Sequence, residues 1–277
     1  MIILNKKIIH LFLYYLILVG CSFLFLLPFL WTLTTSFKPD SEIYSKTFNF
    51  FPINFDFSHY ENLTQGSNKF FCYFSNTVAI SIVTIALVLL LSALAGYAFA
   101  SLEFKGKKYF LFFMSIVITV PLATYLVPIY MMEDKFGLIN TRWGLILPYV
   151  AVNLPFASLI MRASFKKIPN ELIEAAVIDG CSLFQVWLKI LLPLVKPGLF
   201  VVTILTFINV WGEFMFAKTL ANTYVAQTLP VGITFLRDEA ASWQYGTLSA
   251  VIILSLIPVG SLFLILQKYI VKGLNKI

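Results

Sequence analysis

Glu171, Glu174 and Asp179 lead into Gly180 in the stretch ELIEAAVIDGCSLFQVWLKILLP (171–193), a polar passage between two apolar runs. Bond-making chemistry would need a nucleophile with a base, or a set of metal ligands. The histidines, His10 and His59, are isolated, and Cys21, Cys72 and Cys181 are odd in number, scattered and without CxxC spacing. Neither a disulfide frame nor a metal site is indicated. The three carboxylates are therefore read as recognition groups. A second pair, Asn209 and Glu213, stands four residues apart, which puts both side chains on one face if the helix is continuous.

The elements that must position the acidic group can be read locally. Pro169 is tolerated in a first helical turn, and Glu171 and Glu174 near that start suit the helix dipole. Gly180 suits the left-handed position that ends a helix. Ser182 with Gln185 three residues later forms a capping box, so a second helix starts there. Pro193 limits that helix and starts the return to the membrane. Leu172, Ile173, Ala176 and Val177 form an apolar stripe that must pack on something, while Ala175 and Ala176 leave room for another surface to approach. A helix lying on lipid headgroups would favour Lys and Arg on its polar face. These residues are acidic, so a protein partner fits better.

The rest of the chain explains why such a segment is held in place. Of its 277 residues 60% are hydrophobic and 12% charged, against about 25% charged in soluble domains. Residues 11–37, 70–102, 109–132, 143–161 and 240–267 carry no Asp, Glu, Lys or Arg, and each reaches the ~18 residues of a spanning helix. A sixth run, 197–212, reads as a span if its helix continues through Glu213 to about Leu220. The expectation is an all-α membrane protein, one transmembrane domain over 1–277, with spans near 11–35, 72–100, 109–131, 144–163, 198–220 and 247–270. The loop 164–197, holding the double helix, falls between spans four and five. A large soluble helical core is excluded because its outer helices would need polar faces.

Six spans put both termini on one side. The N-terminus, the 101–109 loop, the 162–197 loop and the C-terminus hold thirteen of the twenty basic residues and four of the thirteen acids. That excess marks them as cytoplasmic, so the net charge of +7 is topological and nucleic-acid binding is not read from it. The N-terminal run imitates a signal peptide but is too long and lacks a small-x-small site, so it is read as an uncleaved span. The external segment 36–71 lacks clear helical periodicity. Pro121, Pro128, Pro148, Pro155 and Pro258 fall in or near spans and free backbone carbonyls there. Trp31, Trp143 and Trp243 lie near span ends and are read as interface anchors.

Asn209 and Glu213 admit two readings. A carboxylate in a span is costly and faces the bundle interior or water, so the pair could line a translocation pathway or its outer gate. Alternatively they make helix–helix hydrogen bonds, or Glu213 reaches the outer interface; the second reading is favoured. Asn76 and Asn153 are read as glue between helices.

The spacing EAAVIDG, nine residues, then I-L-LP resembles the EAA signature of binding-protein-dependent ABC importer permeases, with Glu174, Ala175, Ala176, Gly180, Ile190 and Pro193 in register. TSFKP (35–39), AGYAFASLEFKGK (95–107), FGLINTRWGLILPY (136–149), MRASFKKIP (161–169), FINVWGEF (207–214), TLPVG (228–232) and QKYIVKGL (267–274) are similar to the carbohydrate branch, the second permease subunit of maltose-type and multiple-sugar systems. The resemblance implies a type I ABC importer permease fold in a bacterial or archaeal cytoplasmic membrane. It implies a sugar importer in which this chain is half of a heterodimeric pore. Its partners would be a second permease subunit, two cytoplasmic ATPase subunits and an extracytoplasmic solute-binding protein. Glu171, Glu174, Ala175, Ala176, Asp179, Gly180, Ile190 and Pro193 would form a coupling helix seated on an ATPase. ATP and Mg would be bound by that partner, since the chain has no GxxxxGK[ST] phosphate loop, and the chain itself would be no enzyme.

Two departures are noted. The family often has Asn where this chain has Gly212, and many members carry a longer tail than Asn275–Ile277. The alternatives are a glycerol-phosphate or other small-solute importer and, from another class, an ion-driven carrier. The carrier would want ionisable residues at mid-membrane or broken helices in matched halves.

Overall fold

The structure is a computed structural model that describes residues 2–64, 70–236 and 244–274. Trp243 and the tail from Asn275 lie outside the described residues. The described secondary structure is helical throughout, as composition and periodicity require. The chain divides into two compact units, Met1–Asn68 with Phe235–Ile257 and Lys69–Thr234 with Pro258–Ile277.

The first unit opens with α1 (Ile2–Thr35). Its described membrane-length segment, His10–Thr35, has a most apolar 18-residue window of mean hydropathy 2.3, none of which is buried in the chain, so that window is a lipid-type surface all round. Short helices α2 (Asp40–Ile43) and α3 (Ser58–Thr64) follow within the segment that showed no helical periodicity. Aromatic packing orders that segment. Phe37 meets the rings of Phe57 at 5.4 Å and Tyr60 at 5.3 Å, and Ser36 shares a 2.8 Å hydroxyl bond with Tyr60. His59 is buried, with Nε2 at 2.8 Å from the Lys38 carbonyl. A side chain at Gly246, in the first turn of the last helix (Tyr245–Leu274), would overlap the His59 ring.

The second unit is built on α4 (Phe70–Ser101) packed along α7 (Trp143–Phe165). Gly96 makes this approach close, because a Cβ there would lie 2.5 Å from Met161 Cβ and 2.9 Å from Arg162 N; small residues at such contacts let spanning helices pack in lipid. α11 (Lys196–Trp211) packs against both, around a core that includes Val88, Leu145, Met161, Val202 and Phe216. Asn76 ties this unit together. Its amide donates to the carbonyls of Tyr224 and Gln227 at 3.0 Å each, and its oxygen accepts from Arg142 at 3.0 Å.

Among the described residues four helices are long and apolar enough to cross a membrane, or up to six if each of two bent pairs is one span. Two of the expected spans are interrupted. The third, expected over 109–131, is α5 (Lys107–Thr119), a 3-10 turn (Leu122–Tyr125) and α6 (Leu126–Lys135), with a bend of 102°. Pro121 forces Val120 into an extended conformation (φ −75°, ψ 127°), as proline does to the residue before it. The fifth, expected to run through Glu213 to Leu220, stops at Trp211 and restarts as α12 (Met215–Leu220). The Glu213 carboxylate accepts the Phe216 and Ala217 N–H groups at 2.8 and 3.1 Å, so it caps a new helix instead of extending the old one.

Candidate functional site

The polar segment begins where α7 ends. Pro169 stands at the N-cap of α8 (Asn170–Ile178) in an extended conformation, one position before the helical turn it was expected to occupy. Asp179 ends the helix and Gly180 takes φ +85°. The Gly180 N–H then reaches the Val177 carbonyl and the Cys181 N–H the Ala176 carbonyl, both at 3.0 Å. These two bonds satisfy carbonyls that a helix end leaves free. Ser182 and Gln185 cap each other, with Ser182 N to Gln185 Oε1 at 2.9 Å and Gln185 N to Ser182 Oγ at 3.3 Å.

α9 (Leu183–Gln185) runs into a π-helical stretch, Val186–Leu191, and then α10 (Leu192–Leu194). Pro193 lies inside α10 and does not start the return to the membrane. The chain turns at Val195 (φ −90°, ψ 10°), where α10 meets α11 at 74° within the second bent pair. Pro193 lies one residue before the end of the helical run Leu183–Leu194, and Pro197 sits in the first turn of α11, where no N–H partner is needed, while Val195 takes the bend.

The segment has an inner and an outer side. Ala176, Val186, Trp187 and Leu191 are buried, and Ile173 and Ile190 pack against the same core. Leu172 and Val177, expected to pack with Ile173 and Ala176, are exposed instead. They join Ile178, 85% exposed, Leu183 and Phe184, 64% exposed. Glu171, Glu174, Ala175, Asp179 and Pro193 are exposed as well. The outward side is thus an apolar ridge with carboxylates beside it, held by backbone bonds at Gly180 and by the Ser182–Gln185 side-chain cap. Sequence periodicity missed the ridge because it runs across the α8–α9 turn, where no single helical period applies.

Asn209 and Glu213 were expected to share one helical face. They do not share a helix, since Glu213 lies in the break after Trp211, yet both line one cavity of about 640 Å³ with Val120, Tyr125, Tyr149 and Asn153. Tyr149 donates to Glu213 Oε2 at 2.6 Å, and Asn209 Nδ2 donates to Asn153 Oδ1 at 3.0 Å. Asn153 in turn donates to the Tyr149 carbonyl at 2.8 Å. Both groups therefore bond to α7 and face the cavity together. Both helix breaks, at Val120 and at Glu213, line it. Interrupted helices around a cavity are where transporters tolerate irregular backbone in a membrane. Tyr149 is the participant that hydropathy alone could not single out. Among the described residues no group of His, Cys, Asp or Glu could hold a metal.

Comparison with known proteins follows from this geometry. Residues 88–276 match the family described as "Binding-protein-dependent transport system inner membrane component". The galactooligosaccharides transport system permease protein GanQ of Bacillus subtilis is 33% identical over 98% of this chain and 95% of its own length. The sulfoquinovosyl glycerol transport system permease protein SmoH of Agrobacterium fabrum is 34% identical over 90% and 87%. In fold, a chain from the crystal structure of a bacterial ABC transporter involved in the import of the acidic polysaccharide alginate superposes with a TM-score of 0.83. That superposition covers 95% of this chain and 97% of the other, at 22% identity.

Proposed function

The chain belongs to the binding-protein-dependent transport system inner membrane components, and from that premise we propose that it is a sugar-importing permease subunit driven through residues 170–193 by an ATPase. Relatives named for galactooligosaccharide and sulfoquinovosyl glycerol transport support carbohydrate as the cargo. The chain acts as a transport component and not as an enzyme. It pairs with a second permease subunit, two ATPase subunits and an extracytoplasmic solute-binding protein. Both termini and the 164–197 loop lie on the cytoplasmic side, on the strength of the basic excess there.

The observation that carries the docking reading is the ridge of Val177, Ile178, Leu183 and Phe184, exposed beside Glu171, Glu174 and Asp179. Apolar surface rimmed by polar groups marks a protein contact. Its caps make it stiff, and its inner side is fixed to the helix core through Ala176, Ile190 and Leu191. A stiff element seated on a moving ATPase transmits that motion to packed helices, which have discrete arrangements and do not deform continuously. Asn209 and Glu213 belong to the pathway side of that movement. Asn209 presents an amide to the cavity, and Glu213 holds the break in the helix by its bonds to Tyr149 and α12.

The test is purification in mild detergent with identification of the accompanying subunits. A second permease, an ATPase and a binding protein are expected with the wild type. Gly180→Asp is expected to remain in the membrane and to lose the ATPase and transport. Normal co-purification with full transport by that variant overturns the docking.

A further inference from the structure

We propose that the cavity at the C-terminal end of α1, ringed by Trp31, Thr35, Lys38, Glu42, Ser45 and Lys46, holds the phosphodiester of a glycerophospholipid headgroup. The cavity measures about 290 Å³. Lys38 is 3% exposed; its ammonium donates to the Asn49 carbonyl and lies 4.5 Å from the centre of the Trp31 ring. Among the described residues no carboxylate pairs with it. A buried ammonium with one carbonyl and one ring keeps donors unused and a charge uncompensated, which is costly unless an anion completes the set. Thr35 Oγ1 supplies an independent sign. Thr35 is 7% exposed, lines the same cavity, and this hydroxyl has no hydrogen-bond partner.

The lining charge selects the anion. Lys38 and Lys46 oppose Glu42, whose carboxylate already accepts the Ile53 N–H at 3.1 Å. One net positive charge remains, which the single negative charge of a phosphodiester neutralises. An uncharged sugar would leave it unmet. The Trp31 ring is also already engaged by Phe48, stacked at 5.3 Å, by Phe50 at 5.7 Å and by Lys38.

Position selects a lipid as the source. The cavity opens at the last turn of a membrane-length helix whose whole apolar window is unburied. The loop that closes it exposes Phe48 (78%), Phe51, Ile53, Phe55 and Phe57. Aromatic side chains concentrate at the membrane–water boundary. These rings enter the headgroup–acyl boundary of the bilayer beside the cavity, and the cavity takes the phosphate. On the orientation proposed above this is the outer leaflet. The site rests on α1 being a span, and not on the ATPase contact.

The test uses this chain purified in mild detergent with its accompanying subunits, scored by native mass spectrometry for retained phospholipid. The wild type is expected to keep a bound phospholipid. Lys46→Gln and Thr35→Val, which preserve shape, should each lower its retention by about tenfold with subunit composition unchanged, the loss of one bond to a charged group. Lys38→Met should abolish it, and the two milder variants keep the test decisive if Lys38→Met fails to fold. Equal retention in wild type, Lys46→Gln and Thr35→Val overturns the proposal. Loss of a subunit with phospholipid unchanged also overturns it, in favour of a protein contact. So does displacement of the phospholipid signal by inorganic phosphate alone, which would make the site one for the free anion.

Discussion

Gly180 offers a graded test of whether the α8–α9 turn works as a stiff lever. Its φ of +85° lies in the left-handed region, and a Cβ built on it meets nothing within 4 Å of this chain. Substitution therefore adds backbone strain without an internal clash. Left-handed backbone costs an ordinary L-residue about 1–2 kcal/mol, less for Asn, and more for a β-branched side chain. About 1–2 kcal/mol is about a 5- to 30-fold change in an equilibrium, here between the capped turn and open alternatives. The expected order is Gly, Asn, Ala, Val in two readings. Hydrogen exchange at the Gly180 and Cys181 amides, bonded to Val177 and Ala176, should quicken along the series. ATPase activity stimulated by the loaded binding protein in proteoliposomes should fall along it. Ser182→Ala provides the control, because it removes a cap worth about 1 kcal/mol while adding no atoms to the surface. Stiffness predicts that Ser182→Ala and Gly180→Ala lower coupling alike. A full-strength Gly180→Val protein, or a loss confined to Gly180 variants with normal exchange, refutes the lever and leaves Gly180 as a contact point only.

Other outcomes follow from the packing. Tyr149→Phe removes the 2.6 Å donor to Glu213 and should lower thermal stability by about 1.5–3 kcal/mol, the usual worth of a bond to a charged group, while Glu213→Gln should retain at least partial transport. Complete transport loss by Glu213→Gln with normal assembly would assign the carboxylate to the pathway itself. Gly96→Ala should push α4 from α7 and cost about 1–3 kcal/mol as an overpacked contact, measured as a lowered melting temperature. The Ser58 backbone N–H at 2.8 Å and its hydroxyl hold the Asp56 carboxyl below its ordinary value. A carboxylate depressed by folding stabilises above its unfolded pKa and loses that effect as pH falls through the folded one. Protection of the α3 amides relative to their intrinsic exchange should therefore hold at neutral pH and fall only below about pH 4.

Much of the segment 169–193 could be read residue by residue. The Gly180 turn and the Ser182–Gln185 box depend on contacts within six residues, and such contacts recur wherever their sequence does. The places where expectation failed are instructive for the same reason. Pro193 was expected to limit the second helix and start the return; the helix runs one residue further, to Leu194, and Val195 takes the bend. Leu172 and Val177 were expected to pack, but a short helix has only as much buried face as its neighbours cover. The spans over 109–131 and 198–220 were inferred from long apolar runs, which report transfer into lipid and do not locate where a helix breaks.

Composition, charge bias and local capping sufficed for an all-helical membrane chain carrying a stiff polar turn, because burial in lipid and helix ends are governed by residues near one another along the chain. The meeting of Tyr149, Asn153, Asn209 and Glu213 at one cavity, and the enclosure of Lys38 by Trp31 and Asn49, were decided by tertiary structure. Each group draws on more than one element, and only packing sets the distances between polar atoms on different elements.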